Sequence, residues 1–331
     1  TIFSTKTSYD NLDRIKTVTY PDNQTVSYLY DAGGNLSQVD GYATFSDYNA
    51  SGRPRNVTFG NGVTTTYQYY PANNRVQSIT TRTGSLTPLV NLSYAYYLNG
   101  NIKTVTDSMH SAPASVGASR NYSLYPGKAH AYGLPGRNFQ YDANGNMISD
   151  GQRTITFDYD NMPKTINGSV SFVYDGMGNR VKKITPTNIR TYIDKLYECE
   201  GNVCAKYIFA GDARIAFKTA TQTYYYHPDH LGSTSIVTDS TGSKVEDITY
   251  NPFGKINSDS GSVKVSHLYT GQELDAETGL YNYNARLYDS ESGRFISADT
   301  IVPDPANPQS LNRYSYALNN PIRFFDPTGN Y

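Results

Sequence analysis

The sequence predicts an all-β fold made of repeated hairpins that curl into a large sheet around a hollow. Three observations point there. A short pattern ending in Tyr-Asp recurs along the first half of the chain, mostly every 15 to 21 residues. Each copy turns through Asn, Gly or Asp and enters a run of alternating residues, the pattern of strand, turn and strand. Apolar stripes at helical spacing are nearly absent.

The units come in order. "SYDNLDRIKTVTYPDNQTV" is followed by "LYDAGGNLSQVDGYATF", then by looser copies at "DYNASGRPRNVTFGNGV", "YYPANNRVQSITTRTG" and "YYLNGNIKTVTD". Clearer copies return at "QYDANGNMISDGQRTITF", "DYDNMPKTINGSVSF" and "VYDGMGNRVKKI". Strands that recur without helices cannot form a βαβ sheet, which leaves a meander, sandwich, barrel or solenoid. Thr, Ser, Lys and Gln interrupt the apolar face, so the expectation is a curled sheet with water on both sides. Tyrosines at equivalent repeat positions are then expected to stack into ladders between strands.

Composition agrees with half-wet surfaces. Hydrophobic residues make up 37%, with 32 Tyr, 12 Phe and no Trp. A tyrosine pairs an apolar ring with a hydroxyl that wants a partner. The formal charge of -1 argues against a nucleic-acid surface or a polybasic membrane patch. No apolar run is long enough to span a bilayer as a helix. The first residues, "TIFSTKTSYDNLDR", lack an initiator Met and a signal-like apolar core and begin inside the repeat pattern, so a longer parent protein is expected.

Cys199 and Cys204 flank Gly201-Asn202 in "LYECEGNVCAKY". A first-Gly hairpin turn there sets the cysteines opposite each other. Two readings stand, a disulfide across the hairpin or two ordinary thiols. A structural zinc site is disfavoured because no further Cys exists. In "HPDHLGS", His227, Asp229 and His230 invite a metal reading, but no third or fourth ligand is evident, and no cofactor is expected. "GQELDAETGLYNY" carries Glu273, Asp275 and Glu277, with Asp289 further on; as a glycosidase pair they would need a sugar cleft. Asn-x-Ser/Thr sequons such as "NQT" and "NVT" follow from the Asn and Thr content. Nucleotide-binding and Ser-His-Asp signatures are missing.

These units resemble the YD, or Rhs, repeats of bacterial polymorphic toxins, of the C component of insecticidal toxin complexes, and of teneurins. The likeness spans most of residues 1–185. The C-terminal hundred residues resemble the Rhs-repeat-associated core block by block. They run from "YYYHPDHLGSTSIVTDSTGSKVEDITYNPFGKI" through "YTGQELDAETGLYNYNARLYDSESGRFISADT" to "LNRYSYALNNPIRFFDPTG". The teneurin branch fits less well, since the closing Asp-Pro-x-Gly block is a bacterial feature. The division implied is repeats over 1–185, a hairpin connector with the cysteine pair over 186–222, and the core, or plug, over 223–331.

The resemblance implies part of a hollow cage that encloses a C-terminal toxin segment, cut free by the core acting as an intramolecular aspartyl-type protease. Carried over by motif, the catalytic set is Arg286 of "NARLYD", Asp299 of "ISADT" and Asp326 of "FFDPTG". Two carboxyls held together do not both ionise cheaply, so one keeps a proton while the other activates water. The family cut lies shortly beyond "DPTG", which leaves the substrate outside these residues. This sequence reads "YDSESGRF" and "SADT" where Asp-Pro is common, and neither change removes a catalytic group.

Each residue also has a structural reading. Asp326 opens a type I turn with Pro327 next and Gly329 last, Asp299 is a strand-end cap, and Arg286 is an ion-pair partner. The partners implied are the enclosed toxin segment, the remaining shell repeats or a partner shell protein, and an export machinery. The location implied is secreted or cell-surface. The competing functional reading is a non-catalytic adhesion or display module that binds glycans or proteins and self-associates through open sheet edges.

Overall fold

The structure is a computed structural model that describes residues 3–84, 87–110, 123–124, 132–134, 136–302 and 304–330. Strands dominate it. Among the described residues the helical pieces are short 3-10 turns at Tyr269–Gly271, Pro308–Leu311 and Ala317–Asn319. No helix among the described residues is long and apolar enough to cross a membrane. Packing divides the chain into two compact units.

Unit 1 holds Thr1–Ala112, Tyr192–Ile248 and Ser258–Lys264. Its first part is a ten-stranded meander from Lys6–Tyr9 to Ile102–Asp107, in which each strand pairs with the next. Its second part is a meander from Tyr197–Glu200 through Val203–Ala210, Ala213–Lys218, Thr223–Pro228 and Thr234–Thr238 to Lys244–Tyr250.

One face of these strands is dry, where the sequence suggested water on both sides. Val18, Val26, Val39, Val57 and Phe59 of the first meander share a core with Ile208, Ile215, Ala216 and Tyr225 of the second. The polar interruptions fall mainly on the other face: Thr25–Tyr30 and Pro54–Phe59 each alternate buried and more exposed positions.

Unit 2 holds Pro113–Thr191, Thr249–Asn257 and Val265–Tyr331. Strands Ile155–Phe157, Pro163–Ile166, Val170–Tyr174 and Arg180–Ile184 form a further meander that continues into the strand beginning at Ile189. A small four-stranded sheet follows, built from Glu273–Asp275, Leu280–Asn282, Leu287–Asp289 and Arg294–Phe295. Phe139, Met147, Ile155, Ile166, Val170 and Phe172 pack with Leu280, Leu287 and Ile296 of the small sheet and its edge.

The repeat tyrosines do something more specific than ring stacking. The last residue of a strand sends its hydroxyl to the carbonyl of the first residue of the preceding strand. Tyr30 donates to Ile15, Tyr48 to Leu36, Tyr69 to Pro54, Tyr96 to Val76 and Tyr174 to Pro163. Each clasp closes an antiparallel pair at the end opposite its connecting turn; the Tyr30 bond is exposed and the other four are half-buried.

Candidate functional site

The Tyr-Asp turns explain the local form of the closing motif. At a hairpin tip the Asp carboxylate accepts backbone N–H groups two and four residues on, as Asp175 does from Met177 and Asn179 at 2.9 Å each. The glycine three residues on takes positive φ, +83° at Gly178. Asp326 repeats this chemistry. Its Oδ1 accepts from Thr328 N at 3.0 Å and Gly329 N at 2.8 Å, and Gly329 has φ +80°. As local structure, then, "DPTG" is a turn.

Its surroundings set it apart. Asp326 is fully buried, whereas Asp175, at the tip of the same kind of turn, is exposed. The closing turn is docked on the turn of "NYNAR". Ala285 N donates to Thr328 O at 3.1 Å, Gln272 Nε2 donates to Pro327 O at 3.1 Å, and Arg286 Nε donates to Gly329 O. A Cβ at residue 329 would lie 2.5 Å from Tyr283 O and 3.1 Å from Arg286 N, so only glycine fits both the space and the φ.

Arg286 enters the strand Leu287–Asp289 from this turn and points into a closed space. Its Nη2 lies 2.7 Å from Asp299 Oδ2 and 3.5 Å from Asp326 Oδ2, and its Nη1 donates to Arg313 O at 2.9 Å. The guanidinium carbon sits 3.7 Å above the Phe295 ring centre, a cation–π contact away from water. Burial lowers the Arg286 pKa to about 10, with the two carboxylates working against that shift, so it stays charged at neutral pH.

Asp299 is fixed from both sides. Its Oδ1 accepts from Ile301 N at 2.9 Å, its N–H donates to Arg313 O at 2.8 Å, and Arg313 Nε donates back to its carbonyl at 2.5 Å. Asp299 and Arg286 are both 4% exposed. Two carboxyls and one guanidinium therefore share a nearly dry space, with the carbonyl of residue 329 on the same guanidinium. Arg313, whose carbonyl joins Asp299 to Arg286, lies within the block "LNRYSYALNN" and carries no signature of its own in the sequence. Only its place between the other motifs pointed to it.

With this geometry in view, the comparisons decide the family. The Teneurin YD-shell description matches residues 91–322, and the RHS Repeat description matches 9–42 and 48–86. The chain belongs to the YD-shell family. It is 32% identical over 261 residues to the tRNA nuclease WapA of Bacillus subtilis, covering 72% of this chain and 11% of that one. It is 25% identical over 379 residues to the toxin subunit YenC1 of Yersinia entomophaga, covering 92% of this chain and 37% of YenC1. A TcdB2-TccC3 crystal structure superposes with a TM-score of 0.75 at 20% identity, over 99% of this chain and 22% of that one. A Tc holotoxin pore from Photorhabdus luminescens gives 0.77 at 19%, over 99% and 21%. These superpositions show the fold, and the chain spans well under half the length of each relative.

The other candidate residues of this YD-shell chain have structural partners. His227 is buried against Phe59, with ring centres 4.6 Å apart, and pairs with Thr238 Oγ1 at 2.8 Å. Asp229 holds a hairpin turn through Leu231 N and Ser233 N, and the His230 ring lies against Tyr94. Among the described residues no group of three or more His, Cys, Asp or Glu side chains is placed to hold a metal ion.

The four carboxylates are met by cations. Asp275 pairs with Arg180 and Lys183 at 2.9 Å each, Glu273 with Arg190 at 2.9 Å, Glu277 with Lys183 at 3.2 Å and Asp289 with Arg153 at 3.2 Å. Burial works against the Asp275 charge, yet Arg180 and Lys183 hold its pKa below the ordinary value. Cys199 and Cys204 face each other across Gly201-Asn202 and form a disulfide.

Proposed function

We propose that this chain is part of a toxin-associated YD shell whose C-terminal core cuts its own polypeptide just beyond Gly329. The observation that carries this reading is the meeting of Asp299, Asp326 and Arg286 in a buried space that also holds the Gly329 carbonyl. Peptide hydrolysis needs one group to take a proton from water and another to give one to the carbonyl oxygen. Two carboxyls side by side supply both roles. Arg286 sets their spacing and offsets the negative charge that forms on the substrate oxygen.

Docking of the closing turn makes the substrate intramolecular. The hydrogen bonds from Ala285, Gln272 and Arg286 fix the main chain at 327–329, so the peptide that follows leaves from beside the carboxyls. Proximity of this kind replaces a binding step and removes much of the entropic barrier. In this reading the released segment is a toxin enclosed by the shell, the complete protein is exported, and its partners are further shell repeats or a partner shell protein.

The test uses the complete gene product. Asp299→Asn and Asp326→Asn should each leave the chain in one piece on a denaturing gel, while wild type gives two pieces. Normal cutting in both variants, or an uncut wild type, would sink the reading and leave a binding module in its place.

A further inference from the structure

A chain of buried hydroxyls ends at Asp326. Thr270 Oγ1 lies 2.7 Å from the Tyr283 hydroxyl, and Tyr283 donates to the Tyr316 hydroxyl at 3.2 Å. The Tyr316 hydroxyl hydrogen-bonds in turn with the main chain of Asp326. Tyr283 and Tyr316 are fully buried, and Thr270 is 9% exposed. Their rings pack with Tyr288 and Phe295, work that phenylalanines would do equally well. Packing therefore accounts for the rings but not for the oxygens.

The backbone supplies a second, independent observation. Among the described residues other than Gly, Asn and Asp, only Thr270, Ala317 and Leu318 take φ in the left-handed region, at +49°, +49° and +51°. Elsewhere that region is filled by the residue types that tolerate it. All three stand at the hydroxyl chain: Thr270 is its far end, and Ala317 and Leu318 directly follow Tyr316. Strain of this kind persists only where the surroundings over-determine it, and it gathers at functional sites.

We propose that the Thr270–Tyr283–Tyr316 chain positions Asp326 for cutting, which makes Tyr316 a positioning residue that acts through the Asp326 main chain. The proposal rests on the self-cleavage reading above. Asp326 Oδ1 is already committed to the amides of Thr328 and Gly329, so the placement of its main chain decides where Oδ2 stands relative to Arg286. Without the Tyr316 oxygen the turn still forms, but the carboxyl is free to drift from the guanidinium. Burial raises the Tyr316 pKa to about 12, so the oxygen keeps its proton over the working pH range.

The experiment compares Asp326→Asn, Tyr316→Phe and Tyr288→Phe in the complete gene product, following first-order cleavage across pH and the unfolding midpoint. Tyr288 is a control from the same aromatic cluster, because its hydroxyl goes to Phe253 O instead. Tyr316→Phe should slow cutting by about tenfold or more and shift the pH profile, with an unfolding midpoint close to wild type. Tyr288→Phe should cut at the wild-type rate.

If Asp326→Asn cuts normally, the self-cleavage reading falls and the positioning claim falls with it. If Asp326→Asn is blocked while Tyr316→Phe keeps the wild-type rate and profile, only the positioning claim is overturned. Equal slowing by Tyr288→Phe overturns it too. Should Tyr316→Phe fail to fold, Tyr283→Phe breaks the same chain one link earlier and is judged by the same outcomes.

Discussion

Arg286 points one guanidinium nitrogen at two carboxylates, 2.7 Å from Asp299 and 3.5 Å from Asp326, while its face rests on Phe295. One cation thus holds together two acids that come from motifs well separated in sequence. Removing it leaves both acids buried beside each other. Arg286→Met should therefore destabilise unit 2 by about 3–5 kcal/mol, read by urea denaturation. Arg286→Lys keeps the charge but loses the planar fork and should fall between Met and wild type. Wild-type stability in Arg286→Met would show that the ion pairs contribute nothing.

Gly329 is the narrowest point of the docked turn. Gly329→Ala adds a Cβ 2.5 Å from Tyr283 O at φ +80°, whereas Gly279→Ala, at φ +72°, meets nothing within 4 Å. The first should cost roughly 1–3 kcal/mol more than the second, since it adds a clash to the same backbone strain. Hydrogen exchange at the Thr328 and Gly329 amides, both bonded to Asp326, should rise only in Gly329→Ala.

The repeated hairpins were legible in the sequence because their chemistry is local. An Asp that takes the amides two and four residues on, with a glycine three residues on at positive φ, is specified within five positions, as at Asp175–Asn179. The dry face was not legible. Val18 and Val26 read as strand positions, but their cover, Ile208 and Ala216, lies far along the chain and carries no local mark. Arg286, Asp299 and Asp326 stood out only through motif resemblance. Their spacing encodes nothing; they meet because the Arg313 carbonyl and the docked turn bring them together. The tyrosine clasps were hidden for a similar reason, since a hydroxyl's partner is set by strand register rather than by the repeat.

That clasp makes its own prediction. Tyr96→Phe and Tyr174→Phe each keep the ring and delete one bond to a strand-start carbonyl, at Val76 and Pro163. Each should cost about 0.5–1.5 kcal/mol. A clear loss should appear in chemical denaturation, together with faster exchange at the strand ends.

His227 gives the fold an acid limit. Burial alone lowers its pKa to about 3, against 6.5 when free. The unfolded chain binds this proton below about pH 6.5 and the folded chain does not, so the contribution is complete above that pH and shrinks as pH falls toward 3. Between those limits unit 1 should lose about 1.4 kcal/mol per pH unit from this group. His227→Asn should flatten the slope of stability against pH over this window; an unchanged slope would place the acid sensitivity elsewhere.

The Cys199–Cys204 disulfide closes a short loop, so its effect should be modest. Cys199→Ser with Cys204→Ser should lower stability by about 2 kcal/mol in the absence of reductant. The double variant should match the reduced wild type.

The most direct test of the central claim is intact-mass analysis of the complete gene product, wild type and Asp326→Asn, sampled over time at several dilutions. Self-cutting predicts that wild type separates into two chains at a rate independent of concentration, with the new end just after residue 329 or a few residues beyond, while Asp326→Asn keeps the uncut mass. A wild-type mass that stays whole, a cut elsewhere, or equal cutting in Asp326→Asn would contradict it.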